Sequence, residues 1–456
     1  MPDKQGVSKR SLRTIILILL GVTLFVMLVL FVMENGALPS PGNTSMIFEP
    51  TDIVTEYDMD NPKIYTAKNE KGIFLATCDN LRFITADGKE TILGTYNITA
   101  PELVGKGDIV GVAGNGGLSL HVFNTDGALY TAATDHPIAF FSVAANGASV
   151  VITPNGDNYD ITTYNSKGAV SSYTLYAEAN VSPIAADVSD DGRILAVSYL
   201  DRNGGEISSK LTFSYINKSE AEDYAAANGV YAAVNSDADS LIGIIRFMKD
   251  NLLLALSDRS LACYDANNGA KTKWSMNLGN KLSAICLTES DWFALAYGAR
   301  NPNVPGEEPG VCRFYDLNGS MLGEYHAAGQ ITHLAAGHNA ALLYSDRYLT
   351  AVSQSGNLLW TYEATQDILQ ASFFENTNKL VLTGSTQTSI LRRTRLAPAS
   401  AAPDELFLPT ETLDNADTST DAPDNTATPT ESLGNTDAST ETPDNTNASV
   451  GNPEEE

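Results

Sequence analysis

Two hydrophobic rhythms run along this chain. Residues 14–33, TIILILLGVTLFVMLVLFVM, form one unbroken uncharged run behind Lys4, Lys9, Arg10 and Arg13. A helix rising about 1.5 Å per residue and starting at Thr14 reaches across a hydrocarbon core of about 30 Å by Met33. The basic flank then holds residues 1–13 in the cytoplasm and places everything after residue 34 outside. The run is longer than the apolar centre of a secretory signal, and only a poor cleavage site, Asn35-Gly36-Ala37, follows it. An uncleaved single-pass anchor is therefore expected. After a linker over 34–44 the second rhythm begins: short apolar strands alternating with tight polar turns.

That second rhythm repeats. An aromatic or apolar strand residue runs into a polar turn at Phe83 before Ala86-Asp87-Gly88, at Phe123 before Thr125-Asp126-Gly127, and at Tyr164 before Ser166-Lys167-Gly168. The same pattern returns at Tyr264 before Asn267-Asn268-Gly269, at Tyr315 before Leu317-Asn318-Gly319, and at Val352 before Gln354-Ser355-Gly356. Weaker copies sit at Tyr215-Ile216-Asn217 and Ile390-Leu391-Arg392. Successive copies are about 37 to 51 residues apart, the length of one four-stranded propeller blade. Residues 184–197, IAADVSDDGRILAV, read as a small-residue inner strand, a hairpin turn and a second strand, as expected where strands converge on a central channel. The fold class is thus all-β, an eight-bladed β-propeller over 45–396, or seven-bladed if a weak unit merges with its neighbour.

The last unit, 368–396, offers three strands and no fourth, whereas SMIFEPTDIVTE at 45–56 is strand-like with no repeat of its own. The early stretch is predicted to supply the missing outer strand and close the ring. Beyond residue 397 the periodicity stops and a ten-residue Thr/Asn/Asp/Pro-rich unit recurs four times from Thr410. Too little apolar surface is present there to offset ordering entropy, so 397–456 is read as a disordered acidic tail.

Turns such as Ser189-Asp190-Asp191-Gly192-Arg193 and strands such as Gly356-Asn357-Leu358-Leu359-Trp360 resemble those of the WD40-like and quinoprotein-like propeller superfamily. With its anchor, the chain looks like the membrane-anchored propeller proteins of Gram-positive bacteria, from which no residue-level site carries over. The resemblance implies one enzymatic alternative, a quinoprotein-like enzyme that stacks a quinone on a tryptophan beside calcium. Of Trp274, Trp292 and Trp360, the first and last begin outer strands, where packing between blades is the expected use.

Charge narrows the partners. The formal net charge is -27, and no Lys or Arg follows Arg395. Nucleic acid, which requires clustered cations, is not an expected partner. Cys78, Cys263, Cys286 and Cys312 lack C-x-x-C spacing and have apolar neighbours, so buried free thiols on strands are expected. His326, His333 and His338 do not share a face at their spacing, and Asn155-Gly156-Asp157-Asn158-Tyr159-Asp160 has the wrong oxygen spacing for a calcium loop. No G-x-S-x-G motif occurs. No catalytic residue, metal site or cofactor is assigned. The insert 219–229 reads as a short helix, with Ser219 and Glu222 as a capping box and Asn228-Gly229 as its stop.

What remains is a binding or scaffold module at the cell membrane for an envelope protein or glycan, with an extracytoplasmic enzyme, quinoprotein-like or glycan-acting, as the alternative. Loops held by a rigid scaffold are where binding residues concentrate. The longest turns between second and third strands give Asp157, Asn158, Arg202, Asn203, Glu206, Arg300, Asn303, Glu307 and Glu308 as candidate binding residues, all on one face of the disc.

Overall fold

The computed structural model describes residues 46–56 and 62–395 apart from short internal stretches, the longest being 218–228 and 299–309. The run 14–33, the insert helix and the tail lie outside the described residues. Among the described residues no helix is long and apolar enough to cross a membrane.

Eight antiparallel four-stranded sheets are present, so the seven-bladed alternative is set aside. Seven are built from consecutive strands. The inner strands of blades 1 to 4 are Lys63–Thr66, Pro101–Lys106, Phe140–Val143 and Val181–Val188. Those of blades 5 to 8 are Ile242–Phe247, Leu282–Leu287, His333–Ala336 and Gln370–Phe374. The last blade continues through Lys379–Thr383 and Gln387–Arg395 and takes the early strand Met46–Glu56 as its outer member. That strand pairs antiparallel with Gln387–Arg395, from Met46 opposite Arg395 to Glu56 opposite Gln387. The first and last blades are also joined at their inner edge, where the Ile64 amide donates to Gln370 Oε1 at 2.7 Å. Closure by the N-terminal stretch, expected from the missing fourth strand, is what the chain uses.

Layering explains the strand patterns. A second strand lies under a neighbouring blade on both faces and reads as a continuous apolar run, as in Gly72–Ala76, Leu252–Ser257 and Trp292–Tyr297, all fully buried. Outer strands such as Val170–Tyr176 alternate between exposed and half-buried positions. The core is a set of wedges between blades. Phe74 and Leu81 of blade 1 meet Val110, Val112 and Phe123 of blade 2, and each buried large side chain contributes about 1.5–3 kcal/mol. Trp274 bridges blades 5 and 6, stacking on Phe293 at 5.9 Å, and Trp360 bridges blades 7 and 8, meeting Phe373 edge-on at 6.1 Å. Both are used as packing residues, as their placement in outer strands predicts.

The cysteines fit the expectation only in part. All four are free, but only Cys263 and Cys312 are buried. Cys286 is half-buried on an inner strand, and Cys78 sits in the turn after Gly72–Ala76 rather than on a strand. Its apolar neighbours belong to the flanking strands, which is why the local pattern misplaced it.

Strand alternation gives the disc two faces. Turns joining first to second and third to fourth strands emerge on one, called the lower face here. Turns joining second to third strands, and the links between blades, emerge on the other, the upper face.

Candidate functional site

The inner strands end at the lower face, and there the channel is asymmetric. On the side of blades 2 to 5 it is shut by a buried ion network. Lys106, the last residue of its inner strand, carries its ammonium to Asp190 Oδ1 at 2.8 Å, Asp187 Oδ2 at 3.4 Å and the Val188 carbonyl at 3.2 Å. Asp187 accepts in addition from Ser142 Oγ at 2.6 Å and from the Phe247 amide at 2.6 Å. The Lys106 and Asp187 side chains are each 1% exposed. Two charges at that depth lose their hydration, and only these added hydrogen bonds make the burial tolerable. Blade 4 contributes Asp187, Val188 and Asp190, and blades 2, 3 and 5 contribute one member each. Arg246 adds a second tie across the axis, its Nη2 donating to the Gly105 carbonyl at 2.7 Å. Residue 105 has to be glycine, because a Cβ there would lie 2.4 Å from the Tyr65 ring.

On the other side the channel opens into a cavity of about 970 Å³ walled by blades 1 and 5 to 8. Its lining mixes small apolar residues, Ala335, Ala336 and Ala371, with the polar groups of Gln370, Thr66 and Ser372, the last two hydroxyls being bonded to each other. Every turn residue that lines it, among them Lys249, Asp291, Asp316, Asn339 and Gln354, belongs to a lower-face turn, so the mouth is on that face. Lys249 and Asp291 are paired at 3.1 Å. Burial pushes the Cys286 thiol in this wall up to about 12, which keeps it protonated at neutral pH. Burial likewise raises the Tyr344 phenol. Among the described residues no group of three His, Cys, Asp or Glu side chains is placed to hold a metal ion. His333 instead stacks on Tyr344 at 5.0 Å, and His326 bonds Glu324 at 2.9 Å.

The sequence-predicted residues lie on the upper face, opposite this mouth. Asp157 sits in a two-residue hairpin turn with Gly156, closed by the Asn155–Asn158 pair. Asp160 accepts from Asn155 Nδ2 at 3.2 Å and from the Tyr173 hydroxyl at 2.7 Å, beside the hairpin turn that this segment forms. Arg202 and Asn203 are exposed and tied to the link that leads into their own blade, Arg202 through its amide to the Asn180 carbonyl at 3.0 Å and Asn203 through Nδ2 to the Ala179 carbonyl at 3.1 Å. Asp157, Asn158, Arg202 and Asn203 thus share one face on adjacent blades. Glu206, Arg300, Asn303, Glu307 and Glu308 lie outside the described residues. The lower-face cavity and the Lys106 network were missed by sequence reasoning. The available signal was a charged residue in each of two inner strands, Lys106 at the end of PELVGK and Asp187 near the end of VSPIAADV.

The fold recurs in solved structures. Sqt1 from Chaetomium thermophilum matches with TM-score 0.50 at 8% identity, covering 77% of this chain and 100% of that one. BamB from Moraxella catarrhalis matches with TM-score 0.46 at 13% identity over 76% of this chain and 100% of its own. Kuenenia stuttgartiensis hydrazine synthase matches with TM-score 0.40 at 9% identity over 74% and 97%. The likeness to Sqt1 shows a shared fold alone and carries no activity with it. No curated protein matches the sequence. Residues 45–392 are matched by the model of a family described as a family of unknown function (DUF5711).

Proposed function

We propose, for a chain that belongs to the DUF5711 family of unknown function, the role of a membrane-anchored platform whose propeller displays its upper face to a protein partner. One observation carries this reading. Met46 opposes Arg395 at the lower end of blade 8, so the chain enters the ring and leaves it by the same face. With 14–33 as the anchor, the tether approaches from below and the upper face is left free. Asp157, Asn158, Arg202 and Asn203 sit on that free face, on turns fixed by the blades beneath them. The role is recognition by surface complementarity at the outer side of a cell membrane, and no catalytic group is assigned.

The test is photo-crosslinking in intact cells from residues placed at Asp157, Arg202 and Lys167, the last lying on the lower face. The two upper positions are expected to capture the same protein, and Arg202→Glu to reduce that capture severalfold without moving the melting temperature. Equal capture of that protein from Lys167 would overturn the reading. The second reading, an enzyme of quinoprotein-like or glycan-acting type, draws on the lower cavity, whose volume of about 970 Å³ is that of a small-molecule site and whose mouth carries Asp291 and Asp316.

A further inference from the structure

At the lower rim, blades 6 and 7 bring two exposed apolar pairs side by side. Outer strands begin at the lower face, and in blade 6 the first two residues of that strand, Met321 and Leu322, are 59% and 41% exposed. Blade 7 repeats this with Leu358 at 52% and Leu359 at 39%. The two pairs are neighbours, because the backbone at Gly323 packs directly on Ser355 and Gly356; a Cβ on Gly323 would lie 2.3 Å from the Ser355 carbonyl carbon. Cations flank this apolar step. Lys271 and Lys273 are exposed at the start of the blade 5 outer strand, and Arg392 is exposed toward the lower end of Gln387–Arg395 in blade 8. Carboxylates share this rim, Asp265 opposite Lys271 across the ladder and Asp316 at the blade 6 turn, so what marks the sector is its adjoining apolar pairs with the exposed Lys271, Lys273 and Arg392 beside them. It also adjoins the tether: Met46 begins the outer strand of blade 8, beside the outer strand of blade 7.

We infer that this sector rests on the anionic headgroup layer of the bilayer that holds the anchor, with Met321, Leu322, Leu358 and Leu359 at the acyl boundary and Lys271, Lys273 and Arg392 among lipid phosphates. The inference rests on the anchor reading of 14–33. Residues 34–45 reach at most about 40 Å when fully extended, which keeps the lower face near the surface whatever their conformation. Apolar side chains ringed by Lys and Arg are the composition that binds an anionic interface, the apolar part entering the headgroup boundary and the cations gaining from the surface potential. The same seating turns the cavity mouth, with Leu322 on its wall, toward the lipid.

The experiment uses the full chain reconstituted into vesicles of phosphatidylglycerol and phosphatidylcholine. A benzophenone residue is placed in turn at Met321, Leu358, Leu118 and Tyr348, the last two exposed at upper-face turns. Lipid adducts are expected at 321 and 358 in at least tenfold excess over 118 and 348. The excess should fall when phosphatidylglycerol is omitted, and also in the triple variant Lys271→Glu, Lys273→Glu, Arg392→Glu, whose melting temperature is checked in parallel. Vesicle-retained chain that gives no more lipid adduct at 321 and 358 than at 118 and 348, or that crosslinks there to a second copy instead, overturns the inference alone. Release of the chain from vesicles by alkaline carbonate overturns the anchor reading and the inference together.

Discussion

Lys106 is the residue on which the closed side of the channel depends. Its ammonium and the Asp187 carboxylate are both 1% exposed, and their partners come from four blades. Removing one member of a buried pair strands the other, at a cost of about 3–5 kcal/mol. Lys106→Met is expected to lower the melting temperature by roughly 10 °C, and Lys106→Met with Asp187→Asn to recover part of it, because a neutral amide still accepts from the Phe247 amide. A thermal melt of the two variants beside the parent checks this; equal melting of parent and Lys106→Met would remove the network from the stability of the ring. Asp258 shows the opposite, exposed case. Its Oδ1 accepts from the Leu241 amide at 2.9 Å and from Ser240 Oγ at 3.2 Å, and the Leu241 bond foremost holds its carboxyl below the usual carboxylate range. A carboxyl depressed on folding contributes stability above its unfolded value of about 3.9 and loses it as pH falls through the folded value. Asp258→Asn should therefore melt below the parent at pH 7, and the two curves should converge as pH falls through the depressed folded value. Parallel melting curves across that window would contradict the assignment.

At the scale of elements, the strand Met46–Glu56 is the one part of the ring supplied from a distance in sequence. Without it, Gln387–Arg395 becomes an unpaired edge, and edges of that kind recruit other chains. Deleting 46–56 is expected to lower the melting temperature by on the order of 10 °C, to broaden the transition and to promote association. A synthetic peptide of that sequence, added back, should restore the edge by strand addition and raise the melting temperature again. Melting of the deletion at the parent temperature with full cooperativity would contradict the role. Much of this level was legible in the chain itself. Third strands announce themselves because their turns need a positive φ, as at Gly88 with φ 81° and Gly319 with φ 79°, and the repeat therefore keeps glycine there. The missing fourth strand of the last unit was legible for the same reason, as a gap in a counted pattern. What could not be read is contact made by ring closure. Lys106 meets Asp187 because inner strands converge, and nothing in the local pattern of either segment announces a neighbour 81 residues away. The cavity escaped notice likewise, since its wall is drawn from five blades and no single unit carries its mark.

For the whole molecule, the two faces divide the work. The upper face gathers Asp157, Asn158, Arg202 and Asn203 on short supported turns, and the lower face carries the cavity, both chain passages and the exposed apolar pairs of blades 6 and 7. Sequence reasoning chose the upper face from loop length and passed over the lower one, where the turns are short and their number, not their length, makes the site. The closing strand gains a mechanical meaning from this arrangement. It runs from the lower face at Met46 to the upper face at Glu56, along the line that in the proposed arrangement joins a bilayer below to a partner above. Its hydrogen bonds to Gln387–Arg395 lie across that line. A pull between membrane and partner would therefore load those bonds together, in shear, instead of peeling them one at a time. The joint through which the tether holds the ring is thus set in the orientation that resists being drawn apart.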